Sequence, residues 1–117
     1  NSPKVYNRLL TVNNEQVCTS SIVKFELYYG ALKSQRKVEN LTKLENFLNS
    51  LVILPFNEKT AIKAAEIRTS LELAGSPVGP MDLLIAATAI TNDLILITHN
   101  TREFSRIENL QIEDWEE

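Results

Sequence analysis

The sequence predicts an α/β fold: a three-layer domain with a mostly parallel central sheet flanked by helices. Three observations carry this expectation. Short apolar runs alternate with longer segments of helical periodicity along the chain. Leu94-Ile95-Leu96-Ile97 is apolar at consecutive positions without alternation, the pattern of an interior strand covered on both faces. Leu83 to Ala89 holds almost nothing polar, as in a helix buried on most of its circumference. The expected order is helix, strand, two helices, strand, two helices, strand, short helix, strand. At 117 residues this is a single domain, 1–117, with a single core.

Taken in order, Pro3 to Leu10 reads as a helix with Val5, Leu9 and Val12 on one side, closed by a turn at Asn13-Asn14-Glu15. Gln16 to Thr19 is a short strand. Ser20-Ser21 offers an N-cap for a helix over Ile22 to Lys33. Glu26 lies in its second turn among Ile22, Val23, Leu27 and Tyr29, company in which a carboxylate is paired, a metal ligand or aimed at a cleft. Gly30 suggests close approach by another element. A charged connector, Ser34 to Glu39, leads to a helix over Asn40 to Ser50, with Leu41, Leu44, Phe47, Leu48 and Leu51 as its apolar stripe. The stripe suits either the core or a partner.

Val52-Ile53-Leu54 is a compact strand. Asn57 caps a helix over Glu58 to Ala74, and Gly75-Ser76-Pro77-Val78-Gly79-Pro80 breaks it. Pro80, with φ fixed near the helical value, suits the first position of the next helix. Asp82 then falls in the first turn, where backbone N–H groups are unpaired and the macrodipole is positive. After Asn92-Asp93 the apolar strand runs to Thr98, and His99-Asn100-Thr101-Arg102-Glu103-Phe104 follows at its carboxyl end. That is where ligands gather in open α/β sheets. Leu110 to Glu113 is a half-exposed last strand, and Trp115 closes the domain.

Composition narrows the function. Hydrophobic residues at 44% and charged residues at 23% are ordinary for a globular domain, and no apolar run is long enough to span a bilayer. Cys18 is the single cysteine, so no internal disulfide is available and the cytoplasm is the expected location. A net charge of −3 argues against nucleic-acid binding through a broad basic surface. It leaves room for a nuclease that draws phosphates to clustered carboxylates through metal ions. Local basic groups exist at Lys33, Arg36 and Lys37 and at Arg102 and Arg106. His99 is the sole histidine, and no Cys–His or Ser–His–Asp set, zinc spacing or phosphate-binding Gly-rich loop is present.

Glu26, Asp82 and Asn100 follow or open elements that can converge at one edge of the sheet. Oxygen-rich clusters of this kind suit Mg²⁺ or Mn²⁺, which activate water and stabilise displacement at phosphorus.

Three stretches, Phe25-Glu26-Leu27-Tyr28-Tyr29-Gly30, Gly79-Pro80-Met81-Asp82-Leu83-Leu84-Ile85-Ala86-Ala87 and Thr98-His99-Asn100-Thr101-Arg102-Glu103-Phe104, together resemble PIN-domain proteins, above all the VapC-type toxins of bacterial toxin–antitoxin pairs. The resemblance covers essentially the whole chain. It implies a Mg²⁺-dependent endoribonuclease that cleaves a phosphodiester with metal-activated water, on tRNA in close relatives. It matches Glu26 to an acidic site residue, Asp82 to the metal-binding aspartate and Asn100 to a fourth, usually acidic, position. Ser21 and Thr98 match small hydroxyl residues near the site, and Arg102 in the loop beside it could touch the RNA backbone; His99, beside Asn100, is either a phosphate contact or a polar loop residue. The implied partners are a VapB-like antitoxin that occludes the site and a second copy in a homodimer.

The family's opening strand, with a Leu-Asp-Thr-Asn-type motif, has no counterpart here, because Pro3 to Leu10 matches the segment just after it. The expectation is that this central strand and its aspartate are missing, leaving Glu26 and Asp82 to hold a divalent ion weakly. An inactive PIN-like module that binds an antitoxin or RNA is the alternative.

Overall fold

The computed structural model describes residues 17–115. The helix and turn expected before Gln16 lie outside them. Strand β1 (Cys18–Ser20) pairs in parallel with β2 (Val52–Leu54), Thr19 opposite Ile53. Strand β3 (Leu96–Ile97) pairs in parallel with β4 (Ile112–Glu113). The strands are parallel, as expected, and among the described residues they form two separate pairs. Helices α1 (Ser21–Leu32), α2 (Lys37–Leu48), α3 (Glu58–Leu73), α4 (Pro80–Thr91) and the single turn α5 (Thr101–Phe104) complete the chain. No described helix is long and apolar enough to cross a membrane.

Local chemistry sets several boundaries. Ser20, not Ser21, caps α1, its hydroxyl oxygen accepting the Val23 N–H at 3.1 Å. Asn57 caps α3 as expected, accepting from the Thr60 backbone N–H at 3.0 Å and from its hydroxyl at 2.9 Å. At the other end of α3, Gly75 takes φ +68°, and the N–H groups of Ser76 and Gly75 return to the carbonyls of Leu71 and Glu72. This is a Schellman closure, which favours glycine at the left-handed position. Helix α4 ends the same way with Asp93 at φ 54°, the N–H groups of Leu94 and Asp93 donating to Ala89 and Ile90. Helix α2 begins at Lys37, three residues before the apolar periodicity suggests, because charged residues continue a helix as readily as apolar ones.

The core lies between α3, α4 and the C-terminal segment. Leu71, Leu83, Ala86, Phe104 and Ile107 are buried together, with Ile67, Val78, Ile90, Leu96, Leu110 and Ile112 packed around them. Ala86 and Ala87 are fully inaccessible, so α4 is the central helix its sequence predicts.

Two expectations fail. The run at 94–97 is not covered on both faces, since Leu94, Ile95 and Ile97 are exposed and only Leu96–Ile97 is strand. Its single partner is β4, so one edge stays open among the described residues. Gly30 makes no close approach: a Cβ there would meet no atom within 4 Å. Glu26 is itself exposed, as are Phe25, Leu27 and Tyr29 around it, because α1 packs against its neighbours mainly through other positions such as Ala31.

Candidate metal centre

Helix α4 begins without a side-chain cap, its N-cap being Gly79. A residue distant in sequence supplies what the local sequence lacks. The Gly79 N–H donates to Oε1 of Glu103 at 2.6 Å. Glu103 is the third residue of α5, and its Oε2 accepts from Nδ2 of Asn100 at 2.9 Å. The carboxyls of Asp82 and Glu103 therefore meet beside Gly79. A Cβ on that glycine would lie 3.5 Å from Glu103 Oε1 and 3.8 Å from Asp82 Oδ2.

The two carboxyls titrate as a pair, and their surroundings pull them apart. Partial burial pushes Asp82 up to about 6, helped by its hydrogen bond to Glu103 and by the negative charges of Glu103 and Glu26. Glu103 is held below the usual carboxylate range by the Gly79 N–H, then by Asp82 and Asn100, with the Arg106 guanidinium adding to the effect. Below about pH 6 the shared proton therefore sits on Asp82, beside ionised Glu103. A carboxyl pair that retains a proton with a third carboxylate nearby is a place where a cation can replace that proton.

The loop that carries Glu103 is tied to the end of β4. Thr98 accepts the Asn100 N–H on Oγ1 at 3.0 Å and donates its own N–H to the Glu113 carbonyl at 3.0 Å. Nδ1 of His99 lies 3.0 Å from Oδ2 of Asp114, a carboxylate that is almost fully buried. Arg102 is exposed on α5, and Arg106 reaches back to the Pro77 carbonyl at 3.0 Å.

The structure thus brings Asp82 together with Glu103, sets Asn100 against Glu103, and leaves Glu26 close enough to raise Asp82 by its charge. Thr98, His99 and Arg102 share the adjoining loop. Ser21 occupies the first position of α1 rather than the cap. Glu103 is the residue the sequence reading missed. Its signal was the Asn100-x-x-Glu103 spacing of a capping box, although here the glutamate spans to Gly79 instead of returning to the Asn100 N–H.

Among the described residues no three His, Cys, Asp or Glu side chains gather into a ready metal-holding group. The donors present are nonetheless all oxygen, and two of them are in direct contact. In donor chemistry they fit Mg²⁺ or Mn²⁺ and do not fit a thiolate- or imidazole-seeking metal.

Comparison with known proteins identifies the family. The PIN domain family matches residues 2–110. The chain is 40% identical to a tRNA(fMet)-specific endonuclease VapC of Salmonella typhimurium, over 98% of this chain and 87% of the relative. It is 45% identical to ribonuclease VapC2 of Rickettsia felis, over 95% of this chain and 84% of the relative. Among solved structures, DNA-bound VapBC from Salmonella typhimurium superposes with a TM-score of 0.91 at 40% identity, covering 97% of this chain and 85% of that one. Promoter-bound VapBC2 from Rickettsia felis gives 0.89 at 44% identity, covering 97% and 86%. With the PIN domain matched over residues 2–110 and relatives 40% and 45% identical over most of the chain, this chain belongs to the PIN-domain family.

Proposed function

We propose that this chain is the ribonuclease toxin of a toxin–antitoxin pair, a Mg²⁺- or Mn²⁺-dependent endonuclease acting on tRNA. The observation that carries the reading is the Asp82–Glu103 pair at the N-terminus of α4, reached by the charge of Glu26, in a chain whose relatives are named as VapC ribonucleases. Asp82, Glu103 and Glu26 would hold the divalent ion. When bound, such an ion lowers the pKa of a coordinated water and neutralises charge building on the phosphate.

The chain's own residues perform the remaining work. The Gly79 N–H and the Asn100 amide fix the Glu103 carboxylate from both sides, so its position does not depend on the ion. A bound cation would hold Asp82 ionised below about pH 6, where the empty site takes up a proton. Arg102, and His99 with its ring held by Asp114, stand on the same loop where they can meet phosphate oxygens. Preset carboxylates of this kind lower the barrier by positioning, because the charged groups need not reorganise as the reaction proceeds.

The partner in this reading is a VapB-like antitoxin, since the fold matches structures solved as VapBC complexes; the reading also takes the antitoxin to cover the site and the toxin to pair with a second copy. A second reading, a PIN fold that binds antitoxin or RNA without cutting, is favoured by the direct contact of only two carboxylates among the described residues.

Cleavage of total tRNA by the purified chain with Mg²⁺ or Mn²⁺, with and without EDTA, separates the two. The nuclease reading expects metal-dependent fragments that disappear with EDTA and with Asp82→Asn. RNA or antitoxin binding without fragments in any metal establishes the non-cutting module instead.

A further inference from the structure

The segment that delivers the chain to α4 has little to hold it from within. Pro77 and Pro80 carry no N–H. Among the described residues, the backbone of 77–79 makes one bond to other backbone, the Gly79 carbonyl accepting the Leu83 N–H at 3.0 Å. Gly79 takes φ −59° and ψ 147°, and with no Cβ it has little steric reason to keep them. The direction of the Gly79 N–H, on which the Glu103 carboxylate depends, is therefore set from outside the segment.

Two side chains from one turn set it. Glu103 accepts the Gly79 N–H at 2.6 Å, and Arg106 donates from Nη1 to the Pro77 carbonyl at 3.0 Å. They lie three positions apart, and the turn between them is closed by the Arg106 N–H on the Glu103 carbonyl at 3.3 Å. A carboxylate thus meets the donor end of the segment and a guanidinium meets its acceptor end, so both bonds are charge-assisted. Val78, between the two gripped groups, packs against the core cluster that contains Phe104 and Ile107. The grip is thereby anchored on buried neighbours of both residues that make it. The Arg106 charge also reaches Glu103 and favours its ionised form.

We propose that Arg106 is a positioning residue of the metal centre: by clamping the Pro77 carbonyl it keeps the Gly79 N–H aimed at Glu103, and so holds Glu103 beside Asp82 for a divalent ion. The proposal rests on the metal-dependent reading above and gives Arg106 a role distinct from that of Arg102, its companion in a local basic group. The competing role is a phosphate contact. The bond to Pro77 favours the clamp, because it already directs the guanidinium at the segment that leads into the centre.

The test begins on the metal-free protein. In EDTA, Arg106→Gln should shift the Gly79 amide proton upfield in the NMR spectrum and speed its hydrogen exchange, as the short bond to Glu103 loosens. Calorimetric titration with Mn²⁺ in the absence of RNA should give an affinity about tenfold lower, the small end of the range for groups that orient metal ligands, since Arg106 is exposed. Arg106→Lys, which keeps the charge and a donor, should stay within about threefold of the parent. If Arg106→Gln leaves either the Gly79 amide or the Mn²⁺ affinity unchanged, the clamp is wrong and the nuclease reading stands. Weaker binding of a short single-stranded RNA in EDTA, with Mn²⁺ affinity intact, makes Arg106 a phosphate contact and also overturns the clamp. If the unsubstituted chain neither binds Mn²⁺ nor cuts tRNA, the metal-dependent reading falls and the clamp's role at the centre falls with it.

Discussion

Gly79 and Glu103 lie 24 positions apart in the sequence, yet the backbone N–H of one donates to the carboxylate of the other at 2.6 Å. The bond does two things at once. It satisfies an orphan donor at the entrance to α4, and it keeps Glu103 ionised so that the adjoining proton stays on Asp82.

Replacing that carboxylate by its amide separates the two roles. Glu103→Gln retains an oxygen for Gly79 but removes the negative charge facing Asp82. The variant should fold, the Asp82 titration followed by NMR should move down from about 6, and metal-dependent cleavage should drop about 100-fold or more. Unchanged cleavage would remove Glu103 from the site.

The same pair makes the metal-free protein sensitive to pH in an unusual direction. The unfolded chain releases the Asp82 proton near 3.8, and the folded chain holds it to about 6. Between those values the folded state binds more protons, so stability falls as pH rises through the window and levels off above it. Thermal melts from pH 4 to 7 in EDTA should show this decline, and Asp82→Asn should flatten it. Adding Mg²⁺ or Mn²⁺ at pH 7 should raise Tm in proportion to the logarithm of metal concentration and have little effect near pH 4.5, where the proton competes.

Asp93 closes α4 in the left-handed region with φ 54°, a conformation that strains any residue with a Cβ. Asp93→Gly should stabilise the fold by about 0.5–1 kcal/mol, read as an increase in the urea midpoint at constant slope.

Asn57 shows the opposite case. Its side chain accepts both the N–H and the hydroxyl of Thr60, a residue 1% exposed. Asn57→Ala should cost about 1–2 kcal/mol. The Thr60 hydroxyl retains a neighbour in the Thr91 hydroxyl at 3.3 Å, which keeps the loss below that of a fully orphaned buried group.

Features governed by near-neighbour chemistry were legible in the sequence. Asn57, Gly75 and Pro80 each impose a local geometry, and α3 and α4 begin and end where those residues require. Asp82 was legible for the same reason, as a carboxylate in the first turn of an apolar helix. Glu103 was not, because its partner Gly79 is remote and only the fold brings them together. Glu26 was read as paired, a metal ligand or aimed at a cleft because its neighbours are apolar; whether an apolar side chain is covered depends on what packs on it, and α1 presents Phe25, Leu27 and Tyr29 to solvent. The strand at 94–97 fails similarly, since uninterrupted hydrophobicity cannot say how many neighbours a strand acquires. Ser20 and Ser21 are equivalent by type, and only backbone geometry selects the first as the cap.

The β3–β4 ladder is two residues long on each side, and it anchors the loop that bears Asn100 and Glu103. The amides of Leu96 and Thr98 donate to Gln111 and Glu113 across it. Separation of this brief ladder would release the Thr98–Asn100 side of the loop while Phe104 and Ile107 stay buried with Leu71, Leu83 and Ala86, so that side of the centre opens by a local event rather than by unfolding of the domain. Hydrogen exchange at those two amides is therefore a clock for the centre: they should exchange faster than amides within α4, and a ligand that bridges Asp82 and Glu103 should slow them.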